Sequence, residues 1–177
     1  MKVRKLVAVC GPTCSGKTTA VARAPFHHVI CVTTRPMRDS ESQGSPYKFV
    51  RQSEFVRKVV KNEMAEWRQF RGWLYGTEWE ELPVDEVSVG AFSPEAVQSL
   101  MLSHQIDVKV LWLDVPLHER LKRSVRRDGF RWETIRRTMS DACSKSILTV
   151  CRDVYHVNGM NQAEVNKMLC ALASAMV

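Results

Sequence analysis

Apolar runs and amphipathic stretches alternate along this chain of 177 residues. A strand buried inside a parallel sheet is apolar throughout, because helices cover both faces of the sheet. We therefore predict strands at or within the apolar segments Lys5–Cys10, Val29–Val32, Val84–Phe92, Val108–Leu113 and Val154–Val157. Helical stretches separate these strands. The alternation indicates an α/β fold, with a central parallel sheet covered by helices on both faces.

Caps and breakers set the predicted helix ends. The helix after the first strand is short, because Pro25 ends it. Ser93 is a predicted N-cap before Pro94, and its helix runs to about Leu102. Ser53 is the predicted N-cap of another helix, which carries on one face Phe55, Val56, Val59 and Val60.

Three more helices are predicted in the second half of the chain. Leu117–Arg127 is helical and strongly basic, and it is broken by Asp128-Gly129. A second helix spans about Trp132–Leu148. The C-terminal helix has apolar residues at core-facing spacing, namely Val165, Met168, Leu169, Leu172 and Met176.

Two stretches do not fit the alternation of strands and helices. Residues 33–50 form a polar segment that is too long for an ordinary connection, so we expect it to be functional or mobile. Met64–Trp79 combines aromatic residues with Gly72 and Gly76, which is typical of short strands and turns. The length and a hydrophobic content of 45% fit one globular domain.

The composition favours small anionic partners. The formal net charge of +7 is spread along the chain, which favours nucleotides and argues against nucleic acid. Six scattered cysteines form neither a C-x-x-C pair nor a zinc spacing, so reduced thiols are expected; Cys10, Cys31 and Cys151 lie in apolar, strand-like surroundings. No stretch resembles a signal sequence or approaches membrane-spanning length, so we expect a cytoplasmic protein without a membrane partner.

Gly11–Thr18 has the P-loop pattern G-x-x-x-x-G-K-[ST] between a predicted strand and a helix start. Gly11 and Gly16 allow backbone N–H groups to turn inward around a phosphate. Lys17 is placed to reach the outer phosphates of a nucleoside triphosphate, and the Thr18 hydroxyl to bind Mg²⁺. The predicted donor-binding residues are Gly11, Pro12, Thr13, Cys14, Ser15, Gly16, Lys17, Thr18 and Thr19.

A P-loop indicates that the phosphate donor is a nucleoside triphosphate, but it does not identify the molecule that accepts the phosphate. Arg35 and Arg38 place two guanidiniums on one loop, and Tyr47 and Tyr75 follow. A guanidinium binds a phosphate dianion bidentately, and a phenol adds a directional hydrogen bond. A solvated charged loop is the alternative. Because the P-loop requires a second substrate, we favour an acceptor phosphate site.

Together these residues resemble the guanylate kinase family. The matching pattern is Thr34-Arg35-x-x-Arg38-x-x-Glu41-x-x-Gly44-x-x-Tyr47-x-Phe49-Val50, then Phe55, then Glu66-Trp67-x-Gln69-Phe70-x-Gly72-x-x-Tyr75-Gly76-Thr77. The resemblance is dense over residues 5–82 and loose in the remainder. It implies a P-loop kinase with a core of residues 1–32, 83–117 and 138–177, an NMP-binding insertion of residues 33–82, and a lid of residues 118–137.

The resemblance implies transfer of the γ-phosphoryl group of ATP to GMP or dGMP, giving ADP and (d)GDP, by direct in-line transfer assisted by Mg²⁺. Glu66 would accept from guanine N1–H and the exocyclic amine, and Thr77 would take the remaining guanine edge. The residues that would hold the acceptor monophosphate are Arg35, Arg38, Tyr47 and Tyr75. Family members are often monomers or dimers, and the sequence does not decide between a monomer and a homodimer.

A basic run flanks the predicted helix break and consists of Arg120, Lys122, Arg123, Arg126, Arg127, Arg131, Arg136 and Arg137. Such a run is usually a solvated helical face, but in a phosphotransferase it also forms a lid over the transferring group. The resemblance matches Arg123 and Arg127 to lid arginines, and a third falls at Thr138, beside Arg137. The implied catalytic residues are Lys17, Arg35, Arg123 and Arg127.

Two positions depart from the family pattern. Cys31 stands where a hydroxyl usually supports the acceptor phosphate. The strand that usually ends in an Asp-x-Asp-type pair near Mg²⁺ reads Val89–Pro94 here, without an acid. Thr18 is then the predicted metal ligand, and Asp114 is a poorly aligned substitute. Asn158 matches a family residue near the donor adenine and completes the predicted ATP site.

Two alternatives stay open beside a (d)GMP kinase. One is a broader deoxynucleoside monophosphate kinase, because Glu66 alone does not prove base selectivity. The other is a non-catalytic guanylate-kinase-like binding module. The missing acid pair favours the binding module, and the intact Gly16-Lys17-Thr18 opposes it.

Overall fold

A computed structural model describes residues 3–39, 41–140 and 153–177. Its strands are β1 (Arg4–Cys10), β2 (His27–His28), β3 (Cys31–Thr33), β4 (Ser42–Gln43), β5 (Pro46–Phe49), β6 (Met64–Phe70), β7 (Trp73–Glu78), β8 (Val87–Ala91), β9 (Ile106–Asp114) and β10 (Val154–Asn158). Its helices are α1 (Lys17–Ala22), α2 (Gln52–Val60), α3 (Pro94–Leu102), α4 (Leu117–Asp128), α5 (Trp132–Ser140) and α6 (Gln162–Ser174), with a 3₁₀ turn at Trp79–Glu81.

The central sheet is parallel and has the strand order β10-β9-β1-β8-β2. Alternate residues of β1 face opposite sides of this sheet. Leu6 and Ala8 pack in the core cluster that includes Leu100 of α3. Val7 and Val9 pack in the other cluster, with residues of α1 and α6. The predicted parallel sheet with helices on both faces is therefore confirmed.

A second sheet, with the order β4-β5-β3-β7-β6, lies beside the first. The prediction of one strand over Val29–Val32 is wrong, because the chain changes sheets within it. The Val29 N–H donates to the Val89 carbonyl of the central sheet at 2.9 Å, whereas Cys31 already pairs with Tyr47 of the second sheet. Both halves of the segment are apolar, so the periodicity gives no sign of the change. The proposed division between residues 32 and 33 stays a prediction, although the second sheet begins at Cys31.

A group of ion pairs attaches the second sheet to the core. The Glu81 carboxylate accepts from the Ile30 N–H at 2.9 Å and lies 2.6 Å from Lys48 Nζ. Lys48 and Lys58 also reach Glu78, at 3.3 and 2.5 Å. Burial opposes ionisation of Glu78, but the hydrogen bonds from the two lysines outweigh it and hold its pKa below the ordinary value. These contacts fix β5, β7 and α2 to the point where the chain leaves the central sheet.

The helix boundaries follow the predictions with one exception. Ser93 caps α3, since its hydroxyl accepts from the Ala96 N–H. Ser53 does not cap α2. Arg51 occupies the N-cap position, and Ser53 lies inside the first turn. The predicted apolar face of α2 is also wrong, because Phe55 alone among its residues is buried, and Val56 and Val60 are 46% and 75% exposed.

The C-terminal helix α6 buries Val165, Leu169 and Leu172, with Met168 at the edge of their cluster; Met176 is buried in the same cluster but lies beyond the end of the helix. The predicted extension of α5 to Leu148, together with Cys143 and Cys151, lies outside the described residues. Within the described ranges, none of the helices combines the length and the apolar character that a bilayer crossing requires.

Replacing Leu100 by Ala should lower the free energy of unfolding by about 2–5 kcal/mol, because a fully buried leucine leaves a cavity. Leu102→Ala on the same helix is the control, since Leu102 is 76% exposed, and it should change stability by less than about 0.5 kcal/mol. Denaturant unfolding of both variants measures the difference. Equal losses would contradict the assigned helix face.

Candidate active site

The turn between β1 and α1 has the backbone that the P-loop pattern requires. Gly11, Cys14 and Gly16 all have positive φ angles, of 145°, 63° and 103°. A Cβ at Gly11 would lie 2.9 Å from both the Leu113 carbonyl oxygen and Ser15 Oγ, so only glycine fits there. Gly16 is in the left-handed region immediately before α1. The turn therefore orients successive backbone N–H groups toward one space.

All the residues predicted to bind the donor phosphates, from Gly11 to Thr19, lie in this turn and the first turn of α1. Lys17 Nζ donates to the carbonyl oxygens of Gly11 and Pro12 at 2.7 and 2.9 Å. Ser15 Oγ is buried and has no hydrogen-bond partner among the described residues. The ammonium group thus lies against the loop backbone, where an incoming phosphate would meet it.

The predicted magnesium site has few protein side chains that could bind the ion. Thr18 is exposed on α1, and β8 ends at Ala91 with no acid before Pro94. The described parts of the chain contain no group of three or more His, Cys, Asp or Glu side chains arranged to hold a metal. One hydroxyl fits a magnesium ion that arrives with the triphosphate and keeps several waters.

Asp114, the proposed substitute acid, is already hydrogen-bonded. Its carboxylate accepts from Trp112 Nε1 at 3.0 Å and lies 2.9 Å from His156 Nδ1. It lines an open depression of about 520 Å³ together with Asn158. Asn158 Oδ1 accepts from the Met160 N–H at 3.0 Å, so its side chain closes a turn at the rim of this depression.

The two arginines predicted to bind the acceptor phosphate share one carboxylate. Arg35 Nη2 lies 2.9 and 3.0 Å from the two oxygens of Glu41. Arg38 donates to Glu41 through its backbone N–H at 2.9 Å, and its guanidinium lies 3.5 Å from Oε1. Glu41 belongs to the family pattern, but no role was predicted for it. Its spacings of six from Arg35 and three from Arg38 are the signal that could have identified it.

Threonine hydroxyl groups hold the start of this loop. Thr33 Oγ1 donates to the Leu74 carbonyl and accepts from the Arg35 N–H, at 2.9 and 3.1 Å. Thr34 Oγ1 accepts from the Leu74 N–H at 2.9 Å. Arg35 is therefore positioned by β7 as well as by its own loop.

The two predicted tyrosines meet beside Arg35. Their ring centroids are 5.9 Å apart, and the Arg35 guanidinium lies 5.6 Å from the Tyr47 ring. Burial, with Cys31 and Tyr75 nearby, raises the pKa of Tyr47 to about 12. The Tyr47 phenol therefore stays protonated and is available as a hydrogen-bond donor.

The other end of the second sheet carries a buried carboxylate. The Glu66 side chain is 1% exposed, and its Oε1 accepts from Thr77 Oγ1 at 2.9 Å. Arg68 Nη1 lies 3.2 Å from Glu66 Oε2. Burial raises the pKa of Glu66 above its ordinary value, although Arg68 and Thr77 counteract the rise.

Cys31 lies at this carboxylate end of the sheet. Its Sγ is 3.6 Å from Thr77 Oγ1, next to Glu66. Cys31 also pairs with Tyr47 of β5, so its place at a position that supports the acceptor phosphate stays a prediction. β3 directs Cys31 toward Thr77, and Arg35 lies beyond the end of that strand.

The lid arginines have different partners. The Arg123 guanidinium donates to the P-loop carbonyl oxygens of Cys14 and Ser15 and to that of Gly159, at 3.4, 3.0 and 3.2 Å. Arg127 forms two hydrogen bonds with Asp128, at 2.9 and 2.8 Å.

Thr138 does not face the acceptor loop. It is fully buried, and within the α4–α5 contact its hydroxyl donates to the Thr134 carbonyl at 2.9 Å and lies 3.2 Å from Ser124 Oγ. The guanidinium of Arg137, the residue before Thr138, lies 3.5 Å from the Asp128 carboxylate. Burial lowers the pKa of Arg137, and the charges of Arg38 and Arg127 add to this effect. The Arg137 guanidinium therefore lies within electrostatic range of Arg38 and Arg127.

One cleft connects the two halves of the site. A cavity of about 150 Å³ is bordered by Thr18 of α1, Ala91 at the end of β8, and Cys31 and Tyr47 of the second sheet. A P-loop and a separate sheet with two neighbouring arginines at its end, meeting across a cleft, are typical of a P-loop kinase.

Comparisons with known proteins identify the family. The guanylate kinase family model matches residues 3–130. A guanylate kinase of Chlamydia abortus is 30% identical over 142 residues, which cover 75% of this chain and 69% of that protein. A guanylate kinase of Thermobifida fusca is 40% identical over 79 residues, which cover 42% of this chain and 40% of that protein.

The fold comparison agrees. The crystal structure of guanylate kinase from Anaplasma phagocytophilum matches with a TM-score of 0.67, covering 97% of this chain and 88% of that chain at 19% identity. The chain belongs to the guanylate kinase family. It is thereby a nucleoside monophosphate kinase by family.

The Cys31 thiol should resist alkylation in the folded protein. Burial, with Glu66 nearby, raises its pKa to about 12, so at about pH 8 very little of the nucleophilic thiolate exists. Peptide mass spectrometry after brief iodoacetamide treatment should find Cys31 unmodified in folded protein and modified in protein unfolded by guanidinium. Rapid labelling of Cys31 in the folded protein would contradict the assigned environment.

Proposed function

We propose that this chain transfers the γ-phosphoryl group of ATP to GMP or dGMP, giving ADP and (d)GDP. The observation that carries the proposal is the arrangement of the second sheet. A buried carboxylate beside a hydroxyl, Glu66 and Thr77, lies at one end, and Arg35 and Arg38 lie at the other, with the Tyr47 ring between them. A nucleoside monophosphate has this same polarity, with a base at one end and a dianion at the other.

The P-loop would hold the triphosphate of ATP. Lys17 would exchange its bonds to the Gly11 and Pro12 carbonyl oxygens for the outer phosphates. Magnesium, when bound, neutralises charge on the phosphate oxygens, and the Thr18 hydroxyl would be its protein ligand. Asn158, at the rim of the depression beside Asp114, would contact the adenine of ATP.

The acceptor phosphate would bind between Arg35, Arg38, Tyr47 and Tyr75. Glu41 holds the Arg35 guanidinium from one side, which leaves further N–H groups for a dianion. Tyr47, kept protonated by its surroundings, donates to the same dianion. The attacking oxygen is already anionic, so these residues act by positioning and need no strong general base.

Base selection would depend on Glu66. Ionised Glu66 accepts from guanine N1–H and from the exocyclic amine, whereas adenine presents a lone pair at N1. A base that leaves such a buried carboxylate unpaired loses several kcal/mol of binding, as a rough estimate. Because burial raises the Glu66 pKa, GMP binding should weaken as the pH falls through that raised value.

The lid would supply positive charge at the transferring group from Arg123 and Arg127. We also propose that Arg137 provides the third lid guanidinium, since Thr138 is buried between α4 and α5 and Arg137 lies within range of Arg38 and Arg127. A cytoplasmic location and a monomeric or homodimeric state stay predictions. So does the absence of nucleic acid and membrane partners.

A panel of acceptors tests this function. Purified protein with ATP and Mg²⁺ should phosphorylate GMP and dGMP and leave AMP, CMP and dTMP largely unchanged. Lys17→Met should abolish turnover, because it removes the charge at the outer phosphates. Glu66→Ala should selectively reduce turnover of GMP. A coupled ADP-release assay measures all of these rates.

The panel also separates the alternatives. Turnover of dTMP or CMP would indicate the broader deoxynucleoside monophosphate kinase. Absence of turnover with every acceptor would indicate a non-catalytic binding module, which one observation favours: β8 ends at Ala91 without an acid for magnesium. Normal GMP turnover by the Lys17→Met or Glu66→Ala variant would defeat the role assigned to that residue.

Arg137→Ala should lower kcat for GMP by roughly 10-fold or more, because a guanidinium near the transferring group is lost. Arg136→Ala is the matched control, since Arg136 is the exposed neighbour on α5. It should keep kcat within about 2-fold of the wild type. Steady-state kinetics with GMP distinguish the two variants. Equal effects would argue that Arg137 acts only through the overall charge of the lid.

A further inference from the structure

Arg68 lies beside the buried carboxylate and has no role in the function proposed above. It follows Glu66 by two residues on β6, so both side chains point to the same face of the second sheet. Arg68 Nη1 is 3.2 Å from Glu66 Oε2, and the guanidinium carbon is 5.8 Å from the Tyr75 ring centroid. The Arg68 side chain is 26% exposed, against 1% for Glu66, so it borders the open side of this pocket.

The two oxygens of Glu66 have different partners. Thr77 Oγ1 donates to Oε1, and Arg68 Nη1 donates to Oε2. An ionised carboxylate has about four acceptor sites, two on each oxygen. Among the described residues these two donors fill one site on each oxygen. One site on each oxygen is then left for a ligand with two adjacent donors.

The polar groups therefore form a row of hydroxyl, carboxylate and guanidinium. A carboxylate only accepts, and a guanidinium only donates. Guanine presents two donors, N1–H and the exocyclic amine, with an acceptor on each side of them, O6 next to N1–H and N3 next to the amine. Whichever way the base faces, a guanidinium next to the carboxylate meets an acceptor. Adenine presents an acceptor at N1 with an amine donor beside it, so it does not match this row.

We propose that Arg68 is a specificity-determining residue of the acceptor site, where its guanidinium donates to an acceptor atom of guanine, O6 or N3, beside the donors that Glu66 binds. This inference rests on the proposed function, since it requires a guanine nucleotide as the acceptor. It adds a positive selection for guanine to the rejection of adenine by Glu66. Tyr75 supports the guanidinium through its ring face.

Two other roles for Arg68 give different outcomes. A counter-charge that only keeps the buried Glu66 ionised would affect every guanine analogue equally. Its loss would raise the pKa of Glu66 further and would be corrected at high pH. An arginine that only blocks the carboxylate in the absence of ligand would have to move away, so removing it would tighten GMP binding.

The experiment compares wild type, Arg68→Ala and Arg68→Lys. Arg57→Ala is the matched control, because it removes the same charge from an exposed position on α2 of the same region. The measured quantity is kcat/KM for GMP, 6-thio-GMP and 3-deaza-GMP, from about pH 6 to about pH 9. Circular dichroism verifies folding. If Arg68→Ala does not fold, the comparison uses Arg68→Lys, because lysine keeps the positive charge but lacks the planar guanidinium with its fixed N–H donors.

Arg68→Ala should lower kcat/KM for GMP by roughly 10-fold or more at every pH. The loss should be much smaller for the analogue in which the contacted acceptor is weakened or removed, which is 6-thio-GMP for O6 or 3-deaza-GMP for N3. Arg68→Lys should fall between the wild type and Arg68→Ala. Arg57→Ala should stay within about 2-fold of the wild type.

Three outcomes for Arg68→Ala would each overturn the inference. They are an equal loss of kcat/KM for GMP and both analogues, a loss that disappears at high pH, and tighter binding of GMP. If wild-type protein phosphorylates GMP and one of these outcomes follows, the proposed function stands and the role of Arg68 fails. If wild-type protein does not phosphorylate GMP at all, the proposed function fails, and the role of Arg68 fails with it.

Discussion

The site depends on the carboxylate of Glu81, which fixes the second sheet to the parallel sheet. It accepts from the Ile30 N–H where the chain leaves the core, and it pairs with Lys48 of β5. Lys48 and Lys58 extend the network to Glu78 at the end of β7. Charged groups that are largely buried contribute stability only when each has partners. This network therefore sets the position of the acceptor arginines relative to the P-loop.

Sequence signals identified the features that depend on local geometry. The P-loop, the parallel strands and the Ser93 cap each need only neighbouring residues, and the structure has all three. The change of sheet at Val29–Ile30 is set by Glu81, more than fifty residues away, so an apolar run could not reveal it. The cap predicted at Ser53 was wrong because Arg51 already supplies the extended backbone before α2.

The residues of the candidate site also fall into two groups, those that the sequence could identify and those that depend on distant contacts. Pattern residues such as Arg35, Tyr47 and Glu66 could be selected from spacing, and the structure places them along one sheet. The partner of Glu66 could not be selected without knowing that β6 is a strand, because only then do residues two apart share a face. The burial of Thr138, which leaves Arg137 near the acceptor loop, depends on the rotation of α5 against α4.

Arg123 connects α4 to the backbone of the P-loop and to Gly159 after β10. A triphosphate that shifts the carbonyl groups of Cys14 and Ser15 would therefore also shift α4, and with it Arg127. Under the proposed function, this contact would couple the binding of the two substrates thermodynamically. By linkage, whatever factor ATP applies to the affinity for the acceptor, the acceptor applies to the affinity for ATP.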